Sequence, residues 1–421
     1  DSGSDIRVEG VDLDSRRLST DMVEQYESIA AVEIASPVYR GRGRETVGFK
    51  AGTFTLLAVD GSSFEKVAWT RDDFTDEPLG DLLESLSRPD VSEGIVLPQG
   101  TATIGVRLKS DRPDPDTKLI VRVRDGNGRY SSYSLGRLGL VDFLGNVRNS
   151  SWRDLSESLY AQGRWWVEPL TLVSLGVVGE GGDRRQSGSL LIDRITAGTM
   201  QQGTPSFEVV TEEVEPFDGA DGWSILELSP ASLSNDLRDA EDTGLVRFTW
   251  SGDEAMTSHG IFPGTSQQPL PVLASDSFLT ELGYSPGDVV TVSIGRRRVE
   301  VKLLEAIDFF PTLDPSRERF LVADLEALVR YANLDPLAEE LQPNEVWLSL
   351  GTGDIDRDRL VARLARDPFE SQMVYDRAAG LAEAQVDPLA KAGWSALMFL
   401  GFTVVLVLSG TGLLVHAYVS F

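Results

Sequence analysis

The hydrophobic pattern divides the chain into stretches of different period. Near the start, Val23, Tyr26, Ile29 and Ala30 recur at helical spacing behind Asp21 and Glu24, a capping-box-like pair. Val32 to Ile34 follow as a short strand that Pro37 is expected to break, and Phe49 to Val59 alternate like a strand ending at the Asp60-Gly61 turn. Pro78 opens a helix with Leu79, Leu82, Leu83 and Leu86 inward, and Arg88-Pro89 closes it. From residue 93 the period becomes two. Ile104, Val106 and Leu108 alternate, as do Leu119, Val121 and Val123. Asp125-Gly126-Asn127-Gly128 is a hairpin signal with Tyr130, Tyr133 and Leu135 on the return strand. Thr171 to Val178 and Leu190 to Ile195 read as strands around the Gly179–Gly182 turn, and Trp152 to Tyr160 reads as a helix.

Glu212 to Asp242 is strongly acidic and reads as a surface connection or a re-entry into the first domain. Mixed character returns at about 245. Asp276 to Leu282 reads as a short helix stopped by Gly283. Pro286-Gly287 turns into the strand Val289 to Ile294, and Gly295-Arg296 turns into Val299 to Leu304, with the apolar residues of both on one face. Leu321 to Tyr331 is helical by spacing, Val346 to Leu350 is a strand, Asp356 to Arg366 is a helix, and Met373 to Tyr375 is extended. From Ala392 to Phe421 there is no Asp, Glu, Lys or Arg. A helix of about 20 such residues crosses a bilayer core. The predicted architecture is an α+β multidomain ectodomain with an inserted, jelly-roll-like β-sandwich and one C-terminal transmembrane helix. Its parts are 1–92 (α/β, first part), 93–205 (β-sandwich), 206–244 (acidic connection), 245–385 (α/β, second part) and 386–421 (connecting and transmembrane helix).

Composition narrows the function. The 421 residues carry 66 acidic and 39 basic side chains, a net charge of −27. Nucleic acid is excluded as a partner, because phosphate binding needs clustered Lys and Arg, and anionic lipid surfaces repel such a chain. The absence of cysteine removes disulfides, thiolate metal sites and Cys nucleophiles. Of the two histidines, His416 lies in the apolar run and only His259 could serve a Ser-His-Asp triad, with no G-x-S-x-G elbow beside it. No P-loop occurs. The acids Asp354, Asp356 and Asp358 imitate a calcium loop, but Arg359 and Ala365 stand where it needs Gly and Glu. They start a helix instead. Asp125 with Asn127, or Asp193, could ligate a cation; a type I′ hairpin turn is the preferred reading of the first pair. Trp165, Trp166, Tyr130 and Tyr133 are the candidate glycan contacts, weighed against ordinary core packing. No catalytic, cofactor or metal residue is assigned.

The string PVLASDSFLTELGYSPGDVVTVSIGRRRVEVKLLEAIDFFPTL, Pro271 to Leu313, resembles the extracytoplasmic domain of FtsX-like (MacB-like) ABC-transporter permeases. So do Val32 to Val38 and the run from Leu381 through Phe421. The likeness covers roughly 1–92 and 245–421. It departs at 93–205, where GSLLIDRITA, Gly188 to Ala197, resembles a late strand of carbohydrate-binding jelly rolls. The resemblance implies a non-enzymatic permease subunit in the cell membrane, its large module extracytoplasmic. Its partners would be a cytoplasmic ABC ATPase and a second permease chain, and the extracytoplasmic module would meet a lipoprotein, a cell-wall enzyme or a glycan. The alternative is a singly anchored surface protein that binds glycans; an anchored hydrolase is disfavoured by the histidine count. A start without an apolar leader before Ser2 and an apolar run without a basic cluster after it lead us to expect a piece of a longer polytopic chain.

Overall fold

The computed structural model describes residues 3–10, 20–45, 52–69, 77–86, 92–111, 114–140, 151–160, 166–179, 187–200, 209–226, 235–240, 245–251, 259–264, 268–295, 297–353, 355–369, 371–386 and 388–420. Arg88-Pro89, Trp165, the Gly-rich residues after Gly179, Arg296 and Asp354 lie outside them. The described chain is mostly β-sheet, with a few helices and one long apolar helix at its C-terminal end.

The first segment contributes β1 (Ile6–Glu9), α1 (Thr20–Glu27), β2 (Val32–Glu45), β3 (Thr53–Val59), α2 (Gly61–Val67) and α3 (Leu79–Leu86). One expectation fails here. Pro37 does not break its strand, because β3 pairs with β2 only from Val38 onward. At Pro37 the strand has one neighbour, and a residue without an N–H can be carried through. β3 ends before Asp60-Gly61 as expected, and Asp60 then caps a helix: its carboxylate accepts from the Ser62 amide and the Ser63 hydroxyl, which starts α2.

Twelve strands follow: β4 (Ile95–Val96), β5 (Thr101–Ser110), β6 (Thr117–Arg124), β7 (Tyr130–Arg137), β8 (Arg153–Ser158), β9 (Thr171–Gly179), β10 (Gly188–Met200), β11 (Val209–Glu215), β12 (Trp223–Ile225), β13 (Asp236–Ala240), β14 (Leu245–Trp250) and β15 (His259–Pro263). They form two six-stranded sheets. One has the order β13-β14-β10-β5-β8 with β11 on β10; the other has β12-β15-β9-β6-β7 with β4 on β9. Between them lies one apolar core that includes Ile104, Val121, Leu172, Ile192 and Phe248. The helix expected at Trp152–Tyr160 is the strand β8, paired with β5 and, among the described residues, at the edge of its sheet. Its alternate polar residues face solvent, so its apolar signal is weak. The sandwich also runs past its expected end at 205. The acidic stretch after 206 supplies β11 to β13, and β14 and β15 beyond 245 pair with β10 and β9. The acids sit on exposed edge positions, which hid these strands.

The chain then returns with β16 (Leu270–Ser275), α4 (Asp276–Leu282), β17 (Val289–Ile294), β18 (Arg297–Ile307), β19 (Phe320–Asp324), α5 (Leu325–Ala332), β20 (Glu345–Leu350), α6 (Arg357–Leu364), β21 (Met373–Asp376), α7 (Arg377–Val386) and α8 (Pro388–Val419). Gly283 ends α4 at φ 81°, the left-handed cap glycine adopts most easily. The expected helix over Leu321–Tyr331 divides at Asp324. Leu321, Val322 and Ala323 are buried on both faces of a sheet, and Asp324 then caps α5 by accepting from the Ala327 amide at 2.8 Å.

Both ends of the chain build one nine-stranded sheet in the order β17-β18-β16-β19-β3-β2-β20-β1-β21. The α/β part is therefore a single split unit with the sandwich inserted into it. β17 also pairs with β2, Val292 opposite Glu45, which closes six of these strands into a ring. Leu56, Val272, Val292, Val301 and Leu321 belong to one apolar core of this ring, with α4 and α5 packed in by Phe278 and Leu328. A second layer, with Phe64 and Val67 of α2 and Leu82, Leu83 and Leu86 of α3, covers Val59, Leu273 and Trp347.

Candidate functional site

The candidate aromatic platform does not assemble. Tyr130 and Tyr133 are three residues apart on β7, so they point to opposite faces. Tyr133 is in the sandwich core and donates its hydroxyl to the Leu159 carbonyl at 3.0 Å. Trp166 is half-buried against the same core, edge-on to Tyr133 at 6.0 Å, and its indole N–H also donates to Leu159 at 2.8 Å. Tyr130 is buried on the other face, and Trp165 lies outside the described residues. Core packing explains the described rings. The cation candidates resolve in the same way. Asp125 accepts from the Asn127 and Arg129 amides, as a turn requires, and Asp193 pairs with Arg107 and Arg194, each at 3.1 Å. Among the described residues no group of three or more His, Asp or Glu side chains is placed to hold a metal.

His259 is buried in β15, its Nδ1 3.0 Å from Asn235 Oδ1, and burial holds its pKa below the ordinary 6.5. A lowered folded-state pKa means that the unfolded chain takes up the proton more readily. His259 therefore costs the sandwich stability as pH falls through about 6.5 and nothing above it. Urea midpoints measured from pH 8 down to pH 5 should fall more steeply for the natural chain than for His259→Gln. Parallel curves would contradict this.

What the topology does assemble is a polar seam between the sandwich and the split unit. Arg122 of β6 pairs in register with Ser132 of β7 on one side and Ser174 of β9 on the other. These three face outward from the sandwich, because Val121 and Val123 take the inward positions. All three bond the segment that follows α5. Ser174 Oγ donates to the Leu334 carbonyl at 2.6 Å and Ser132 Oγ to Pro336 at 2.5 Å. Arg122 donates to the Ala338 carbonyl at 3.1 Å and to Asn333 Oδ1 at 3.3 Å. Asn333 in turn fixes the segment on itself, exchanging two 2.8 Å bonds with Leu341. Glu340 accepts from the Tyr130 amide at 2.7 Å. Tyr130, Val173, Leu226, Phe262 and Leu334 pack into a small apolar cluster beside these bonds, and a Cβ added at Gly176 would stand 2.5 Å from the Pro336 ring. Desolvation pushes the Arg122 guanidinium down to about 10 and raises the Glu340 carboxyl, while each charge partly restores the other.

No protein family, curated protein or solved structure matches the chain.

At its other end the split unit leads to the membrane-type helix. β21 forms the outer strand of the nine-stranded sheet beside β1. α7 follows it directly, and α8 follows α7. Within α8, Leu397–Val419 has a mean hydropathy of 2.2 and is fully exposed, the one stretch among the described residues long and apolar enough to cross a membrane. Arg357 holds the β21–α7 junction through a 2.7 Å ion pair with Asp376, and the Arg377 guanidinium lies 3.4 Å from the Trp69 ring centre. Neither the seam nor this junction was among the sequence candidates. A lone Arg at an outward position between Val121 and Val123, flanked in register by serines, was the available signal. It is visible only once the strands are paired.

Proposed function

We propose that this chain is the extracytoplasmic and membrane-spanning part of an FtsX-like permease subunit. It would be non-catalytic itself and carry motion between a cytoplasmic ATPase and an outer binding surface. The observation that supports the reading best is the continuous path from seam to span. The sandwich is bonded to the segment between α5 and β20, β20 pairs with β1, β1 pairs with β21, and β21 runs into α7 and α8. A tilt of the apolar helix is thereby transmitted to the outer module through hydrogen-bonded strands, with no flexible linker of Gly and Ser between them. The pattern at Pro271–Leu313, a short helix, a Gly-Asp turn and a hairpin, supports the same reading. The large module then lies outside the cell membrane, the partner is an ABC ATPase, and two permease chains pair. The sandwich, jelly-roll-like in this reading, would meet a lipoprotein or a cell-wall enzyme.

The experiment is purification of the chain from its native membrane in mild detergent, with an ATPase assay on the eluate. Vanadate-sensitive ATP hydrolysis by a co-purifying P-loop protein, and crosslinks between two copies of this chain, are expected. A chain that purifies singly, without ATP hydrolysis, overturns the proposal.

A further inference from the structure

β2 contains the sequence Arg40-Gly41-Arg42-Gly43-Arg44. Period two puts the three arginines on one face and the glycines on the other. Gly43 stands opposite Phe54 in the ladder with β3, and a side chain at Gly43 would collide with the Phe54 ring. The glycines thus let an inward ring close over the strand, while the arginines face out. Arg40 is neutralised: it meets Glu345 at 2.5 Å and Thr312 at 2.6 Å. Arg42 is exposed and has no ion-pair partner among the described residues. It lines a groove of about 460 Å³ together with Thr53 and Thr55 of β3. Residues 315–319 and Glu281 of α4 complete its lining.

Of the other two arginines that line the groove, Arg317 and Arg319, the latter is held in place. The Arg319 guanidinium lies over the backbone of Gly52, 2.5 Å from where a Cβ would be, and 3.5 Å from Glu281 Oε2. The Glu318 carboxylate is occupied by the Thr55 hydroxyl. The cavity is within the size range of small-molecule sites, and its lining is mainly charged and hydroxylic. In a chain of net charge −27, a general pull on anions is absent, so attraction here must be local. Guanidinium groups fit planar, bidentate oxyanions. We propose that this groove binds a small soluble oxyanion, a carboxylate or a phosphate, between Arg42 and Arg319, with the Thr53 hydroxyl of β3 as a further donor. This site is independent of the permease reading.

The test is calorimetric titration of the full chain in detergent micelles, in an amine buffer at low salt, with citrate and with pyrophosphate as probes. Saturable binding of at least one probe, weakened by added salt, is expected. Arg42→Gln should weaken it about tenfold without moving the unfolding midpoint, because Arg42 makes no ion pair among the described residues. Gly52→Ala keeps both arginines but displaces the Arg319 guanidinium, and should weaken binding as well. Absence of saturable binding for both probes overturns the proposal. So does binding that Arg42→Gln and Gly52→Ala both leave unchanged.

Discussion

Replacing Trp347 by alanine is expected to cost about 3–5 kcal/mol and to unfold the split unit well before the sandwich. Trp347 is fully buried in β20, where it is paired with Arg7 of β1 and Ser36 of β2. Its ring lies 4.9 Å from Phe64, and Phe64 stacks on Phe310 at 5.6 Å. These three rings come from segments on both sides of the insertion, so the cluster closes the chain around the sandwich that runs from Ile95 to Pro263. The indole N–H donates to Glu345 Oε2 at 3.0 Å, and Glu345 holds Arg40 through its other oxygen. Alanine leaves a cavity and removes one partner of a buried carboxylate. The sandwich has a separate core, so its strands should keep their stability. Hydrogen exchange should show protection lost across β1, β2, β3 and β20 and retained in β5, β6, β9 and β10. Trp347→Phe, which fills most of the space, should cost about 1–3 kcal/mol. Uniform loss of protection over both units would contradict the division.

Arg122→Met is expected to release the seam. Methionine keeps the apolar stem and removes a guanidinium that donates to Ser132, Ala338 and Asn333. Glu340 then remains raised in pKa without its nearest buried cation. Loss of a buried charged donor of this kind costs about 2–4 kcal/mol. The cost should fall on the contact between units rather than on either core. Amides of residues 333–341 and the outward faces of β6, β7 and β9 should exchange faster, while the separate unfolding midpoints stay close to those of the natural chain. Gly176→Val, which places bulk where Pro336 sits, should produce the same pattern from the opposite side. Unchanged exchange at 333–341 in both variants would mean that the seam is not a fastening.

The elements that were legible in the sequence are those with one clean period. β5, β6, β17 and β18 alternate apolar residues because one of their faces is buried, and α4 carries both a Ser275 cap and a Gly283 stop. Edge strands were not legible. β8, β11 and β13 have a neighbour on one side or carry acids on exposed positions, and their side chains read as helix or linker. β19 was misread because a strand buried on both faces is a continuous apolar run, which helical spacing also fits. The seam and the groove depend on residues far apart in the chain: Arg122 with Ser174, and Arg42 with residues 315–319. Nothing in local sequence specifies such pairs. The aromatic residues misled for the opposite reason, since a ring type says nothing about which face of its strand is buried.

The chain has no cysteine, which allows its sidedness to be measured with single introduced thiols. Ser156→Cys in the sandwich and Ser285→Cys beside α4 both lie on exposed surface. Intact cells carrying each variant would be treated with a membrane-impermeant maleimide, before and after lysis. The membrane fraction would be washed with alkaline carbonate. Labelling of both positions in intact cells, on a chain that resists the carbonate wash, is the expected result. Labelling that requires lysis, or a chain that washes off, would contradict an outer module hung on a membrane-spanning α8.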